Sequence, residues 1–147
     1  MQELTFIIHA ATTFMMTGII WFVKVVHYPL FHKVGQDNFS EYETHHTRLT
    51  GWVVGPLMIA ELLTAALLFF WGPPDVPFSL LLAGVVLLTV IWGSTALLQV
   101  PLHGKLILGF DVDVIQKLVN SNWIRTIAWS LRALLIIIMM FIIDDGR

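Results

Sequence analysis

A helix needs about 20 apolar residues to cross a hydrocarbon core of about 30 Å, and four stretches of this chain qualify: residues 4–28, 51–71, 78–100 and 124–143. None alternates strictly between apolar and polar positions, so the pattern predicts helices and not the strands of a barrel. The breaks carry turn chemistry, with GQDN at 35–38, GPPDVP at 72–77 and GFDVD at 109–113. The predicted fold class is an all-α integral membrane protein: a four-transmembrane-helix bundle forming a single membrane domain over residues 1–147.

The halves echo each other. HYPLF (27–31) closes the first run and QVPLH (99–103) the third, while HHTRLTGW (45–52) leads into the second and NWIRTIAW (122–129) into the fourth. Arg48 precedes Trp52, and Arg125 precedes Trp129, by the same spacing. Two related helical hairpins would produce this pattern.

Composition sharpens the picture. The chain is 57% hydrophobic and 12% charged, with mean hydropathy +0.82, where a soluble domain carries about 25% charged residues. There is too little polar surface to coat a water-facing globule. The absence of cysteine removes both a disulfide framework and a thiolate metal site. A net charge of −2 and a pI near 6.3 give no basic footprint for nucleic acid. The first run lacks the positive flank and cleavage site of a secretory signal, so a retained helix is expected. No phosphate-binding glycine loop, nucleophile elbow or HExxH pattern occurs.

Charge also orients the chain. Lys24, Lys33, Arg48, Lys105, Lys117 and Arg125 lie in or beside the two long connections, whereas the 72–77 loop has no basic residue and the C-terminal tail sets Asp144 and Asp145 against Arg147. The positive-inside rule then puts the long connections in the cytoplasm and both termini outside. The expected location is the bacterial inner membrane.

The candidate chemistry is gathered at two depths. Helical rise is about 1.5 Å per residue, and counting back from each turn brings His27, Glu43, His45, His46, Gln99, His103 and Asn122 to one layer near the cytoplasmic face. Imidazoles with a carboxylate nearby suit Fe, Cu or Zn, and Glu43 with His46 forms the E-x-x-H pair of di-metal carboxylate bundles. The leading expectation is a membrane-embedded, metal-dependent redox enzyme acting on a lipophilic substrate. Its ligands would be His27, His46 and His103, completed by Glu43 or His45. A second expectation is a haem b or quinone-linked electron-transfer subunit. There His27 and His103 would be axial ligands, Arg48 and Arg125 would pair the propionates, and Gln99 and Asn122 would help line the cofactor. The bland alternative for single histidines is a wetted headgroup position, and for the arginines snorkelling to the interface.

Deeper in the spans, His9, Glu61 and Arg132 are ionisable groups in an apolar setting, which usually mark a function or a pathway. A third expectation is therefore a small proton-coupled carrier or accessory subunit with Glu61 and His9 as the proton-active pair; the structural alternative is a pair that only fixes the bundle. Expected partners are the lipid bilayer and a lipophilic small molecule, with a homo-oligomer or a larger membrane complex left open and nucleic acid excluded.

The topology is testable in this cysteine-free chain. Asp37→Cys should stay unlabelled by a membrane-impermeant thiol reagent added outside intact cells; labelling from outside would invert the orientation.

Overall fold

The computed structural model describes residues 2–146; Arg147, counted above in the C-terminal tail, lies outside them. Four long helices make up nearly all of it: α1 (Gln2–Lys33), α2 (Phe39–Trp71), α3 (Phe78–Ile107) and α4 (Val112–Asp145). There is no strand among the described residues. All four helices are long and apolar enough to cross a membrane.

They are longer than the apolar runs implied. At 32, 33, 30 and 34 residues they measure about 45–51 Å, some 15–20 Å beyond a hydrocarbon core of about 30 Å. The excess lies at one end. α2 begins at Phe39 and not at residue 51, α4 at Val112 and not at 124, and α1 and α3 continue to Lys33 and Ile107. The segments expected as long connections are therefore mostly helix, and the true links are residues 34–38 and 108–111. Hydropathy misses these extensions because they are amphipathic. At the start of α4, Val114, Ile115 and Leu118 are buried while Asp113, Gln116 and Lys117 are exposed.

Local chemistry explains the ends. Gly35, at φ +84°, supplies a backbone conformation that other residues avoid. Asp111 caps α4, its carboxylate accepting from the Val114 N–H at 3.0 Å. Within α1 and α3 the ladder widens into one π turn each, Val23–His27 and Thr95–Gln99, just ahead of Pro29 and Pro101. Proline has no N–H and its ring crowds the carbonyl four residues back. The wider turn takes up that mismatch by letting the Tyr28 N–H reach Val23 C=O, and the Val100 N–H reach Thr95 C=O. The echoing motifs HYPLF and QVPLH fall on this same feature.

Each helix packs on two neighbours, giving the ring α1–α2–α3–α4. Its interior is layered. Phe6, Leu68, Ile136 and Met139 fill the end beside the 72–77 loop, Met16, Met58, Ile91 and Trp129 the middle, and Phe31, Phe39, Leu106 and Ile115 the far end. The outer faces carry large exposed apolar side chains such as Ile7, Leu63, Phe70 and Phe141. Two polar layers separate the three apolar ones.

The first polar layer ties all four helices together. Glu61 is fully buried. Its Oε1 accepts from Thr13 Oγ1 at 2.8 Å and Arg132 Nε at 3.0 Å, and its Oε2 from Trp129 Nε1 at 3.0 Å. Arg132 also donates to the Gly84 carbonyl on α3, and its Nη2 lies 3.3 Å from His9 Nε2. The Thr64 hydroxyl donates to the Ala60 carbonyl at 2.7 Å and sits 2.9 Å from His9 Nδ1. With that hydrogen committed, His9 must donate from Nδ1 and accept at Nε2 from Arg132, which assigns a neutral tautomer. The side-chain polar atoms of His9, Thr13, Glu61, Trp129 and Arg132 all have partners, as a buried ion pair needs. His9, Glu61 and Arg132 thus form a closed strut between the four helices.

Removing one partner should be costly. Glu61→Leu strands the Arg132 guanidinium and should lower unfolding stability in detergent micelles by about 3–5 kcal/mol. Adding Arg132→Leu should recover part of that loss, giving a coupling of about 1 kcal/mol or more in a double-mutant cycle. Simple additivity would show that the pair is not coupled.

Candidate functional site

The second polar layer is assembled from helical spacing. On α2, Glu43, His46 and Thr50 recur at i, i+3 and i+7, one face of the helix. On α3, Gln99 ends the π turn and His103 follows one turn later. His27 and Tyr28 stand at the matching point of α1, while Asn122 and Arg125 come from α4 at i, i+3.

These side chains form one connected network. Arg125 Nη2 donates to Tyr28 OH at 3.3 Å and to Gln99 Oε1 at 3.4 Å, and Arg125 Nε donates to Asn122 Oδ1 at 3.0 Å. Tyr28 OH lies 2.9 Å from His103 Nε2, and His103 Nδ1 meets Glu43 Oε1 in a short contact. Arginine can only donate, so the Tyr28 oxygen accepts from it and sends its own hydrogen to His103 Nε2. His103 then carries its proton on Nδ1 and donates it to Glu43. The chain runs one way, from guanidinium through phenol and imidazole to carboxylate. Beside it, His46 Nδ1 lies 2.9 Å from His27 Nε2 and 3.1 Å from Thr50 Oγ1.

One atom of this layer breaks the pattern of satisfied groups. Glu43 is fully buried, yet its Oε2 has no hydrogen-bond partner. A buried carboxylate oxygen left bare is expensive and needs a physical reason. Glu43, His46 and His103 each offer a ligand atom, and these atoms lie within 4.8 Å of one another. Ligands about 2.1 Å from a tetrahedral metal stand about 3.4 Å apart, within reach of small side-chain adjustments.

The structure brings together His27, His46, His103, Glu43, Gln99, Arg125 and Asn122. Three residues stand apart from the converging donors. His45 is exposed, one residue and so about 100° around the helix from His46, and it faces Arg48 Nη2 at 3.0 Å and Glu41 at 4.0 Å. Arg48 is exposed with it. His27 stands behind His46, bonded to it, and is not one of the three converging donors. The haem expectation meets a steric obstacle as well. The His46 ring packs against those of both His27 and His103, with centroids 4.5 and 5.4 Å apart. It fills the gap that a macrocycle between them would need.

A cavity of about 440 Å³ adjoins this layer, and the polar end of its wall carries Tyr28, His46, His103 and Arg125. The rest of that wall includes Met16, Ile20, Met58 and Trp129. It runs between α2 and α3, where Gly51, Gly55 and Gly104 line it, and at each of these three no atom lies within 4 Å of where a Cβ would stand. Gly51 and Gly104 are also exposed, so the cavity reaches the outside between these helices. His9, Glu61 and Arg132 do not line it.

Sequence reasoning overlooks several of these residues. Tyr28 links Arg125 to His103, and its signal was only its place beside His27 before a proline. Gly51 and Gly55 form a G-x-x-x-G pair, a spacing read as helix contact; here it keeps a gap open.

Because nothing occupies the space beside them, Gly51→Ala and Gly55→Ala should each fold and gain about 0.5–1 kcal/mol from helix propensity, measured as a rise in thermal unfolding temperature. A loss of stability would mean that α2 and α3 close upon each other at these positions. Comparison with protein-family models, with curated proteins and with solved structures returned no match, so the functional reading rests on the chemistry of this layer.

Proposed function

We propose that the protein is an integral membrane, metal-dependent redox enzyme acting on a lipophilic substrate, with Glu43, His46 and His103 as the metal's protein ligands. The observation that carries this reading is the bare Oε2 of fully buried Glu43, in a side chain that offers a carboxylate oxygen within 4.8 Å of a ligand atom from each of two imidazoles. Two histidines and one carboxylate, with positions left open for substrate, form the donor set of non-haem Fe(II) enzymes. The same set also serves catalytic zinc. Iron supports the redox chemistry; zinc would leave hydrolysis or polarisation in its place.

The surrounding residues have roles that follow from their contacts. If His46 donates from Nδ1 to His27, its Nε2 lone pair is free for a metal, and His27 sets the ring's orientation. Glu43 would supply a hard oxygen to the metal and His103 its Nδ1, the nitrogen that already meets that carboxylate, with the ion taking the place of their short contact. Tyr28 OH would stay on His103 Nε2 and fix the ring, accepting from Nε2–H once Nδ1 binds metal. The cavity supplies a lipid-facing route for an apolar molecule to reach this end of the bundle. The Lys24, Lys33, Lys105 and Lys117 side chains cluster at that end in sequence, which supports a cytoplasmic site and outward termini.

The one-way chain from Arg125 to Glu43 favours one second reading, a metal-free acid–base site in which His103 moves a proton between Tyr28 and the carboxylate. Elemental analysis separates the two. The protein purified after exposure to Fe(II) or Zn(II) should retain one ion per chain. His46→Ala and His103→Ala should each lose it, His27→Ala should weaken it about 10–100-fold, and His45→Ala should leave it unchanged. A wild-type protein that holds no stoichiometric ion would remove the metal reading and leave the acid–base one.

A further inference from the structure

Arg125 is a buried cation, 7% exposed, with no carboxylate within salt-bridge distance among the described residues. Its Nε and Nη2 are bonded to the neutral oxygens of Asn122, Tyr28 and Gln99. No hydrogen bond is formed by Nη1 among the described residues, and Arg125 lines the cavity. Buried charges are ordinarily paired, because desolvation is otherwise uncompensated. The one carboxylate in this layer, Glu43, is separated from the guanidinium by Tyr28 and His103. Contrast Arg132 in the other polar layer, which meets Glu61 directly at 3.0 Å.

We infer that the cavity binds a lipophilic carboxylic acid, its apolar body among Met16, Ile20, Met58 and Trp129 and its carboxylate paired with Arg125. Guanidinium is the donor best matched to a carboxylate, through charge-assisted hydrogen bonds. A volume of about 440 Å³ lies within the usual range for small-molecule sites, about 300–1,000 Å³. This names the substrate class for the site proposed above and rests on that reading of the cavity, though not on the metal. The two are thermodynamically linked, however. A cation held by Glu43 would use up the negative charge that now reaches Arg125 through His103 and Tyr28. Metal and acid should therefore each tighten the other's binding by the same factor.

A matched pair of fluorescent probes tests the acid: 1-pyrenebutyric acid and 1-pyrenebutanol, with binding read as energy transfer from tryptophan, since Trp129 lines the cavity. In metal-free protein in nanodiscs near pH 8, the acid should bind at least about 10-fold more tightly than the alcohol. Arg125→Gln should bring the acid down to the alcohol's affinity and leave the alcohol's unchanged. Arg125→Lys, which keeps the charge, should retain a preference for the acid and serves if the glutamine variant does not fold. The preference should vanish as pH falls through the probe's own carboxyl pKa. Equal affinities in the wild type would make the cavity a general acyl or aromatic pocket and overturn the proposal, as would an acid preference that survives in Arg125→Gln. Metal-free protein isolates this result from the metal reading. If the acid is preferred but added Fe(II) or Zn(II) neither binds nor tightens it, the metal proposal fails and the acid site stands.

Discussion

The Glu61–Arg132 ion pair is the constraint around which the bundle is built. Both groups are almost wholly removed from solvent, in a setting where an unpaired charge would cost several kcal/mol. Their bonds reach Thr13 on α1, Trp129 on α4 and the Gly84 backbone on α3. Apolar side chains alone tell one helix face from another weakly, because many registers bury similar area. A carboxylate that must meet one guanidinium, one indole and one hydroxyl at the same time allows far fewer registers. Relative depth and rotation of the four helices are thereby set in the half of the molecule nearest the 72–77 loop.

That fixed half makes the other half possible. In the strut every donor has an acceptor, whereas around Glu43 an oxygen is bare and at Arg125 a cation lacks a counter-charge. Incomplete groups of this kind destabilise a fold locally and are tolerated where the surroundings hold them in place. Here the supports are the apolar clusters on either side and the links through Tyr28 and Gln99. Chemistry is thus separated by depth: one layer of charge holds the molecule together, and the other is left open beside a cavity that reaches the exterior.

How much of this was legible follows from what each signal measures. Apolar run length measures the need for lipid-compatible surface, so it finds four helices but ends α2 at residue 51, where the chain becomes amphipathic and continues as helix. Depth counting from the turns needs only the rise per residue, so it brought His27, Glu43, His46 and His103 to one level. Rotation about the axis is the missing coordinate. His45 and His46 are equal in depth and differ only in phase, and nothing in a run of HHTR says which of the two faces inward. The roles of Tyr28 and Arg125 depend on hydrogen-bond direction between different helices, which spacing along one chain does not encode. Glu61 was legible as an interior residue because apolar flanks leave a carboxylate few alternatives; its partners Thr13 and Trp129 carry no comparable signal.

The π turns at Val23–His27 and Thr95–Gln99 bear on how this chain tolerates change in length. Each behaves as a single extra residue accommodated within an otherwise α-helical ladder. Deleting one residue within either turn would let the helix close toward regular α geometry, at the cost of bringing the ring of Pro29 or Pro101 against the carbonyl four residues back. Because the wide turn had already absorbed that residue, the helix beyond the deletion would keep its rotation. His103 would still face Glu43 on α3, and Tyr28 would still face Arg125 on α1. The same deletion in a regular stretch, ahead of His46 in α2 or of Arg125 in α4, would swing everything beyond it by about 100° around the axis. The reading frame of the bundle is therefore most forgiving at the two places where its helices look least regular, and strictest in α2 and α4.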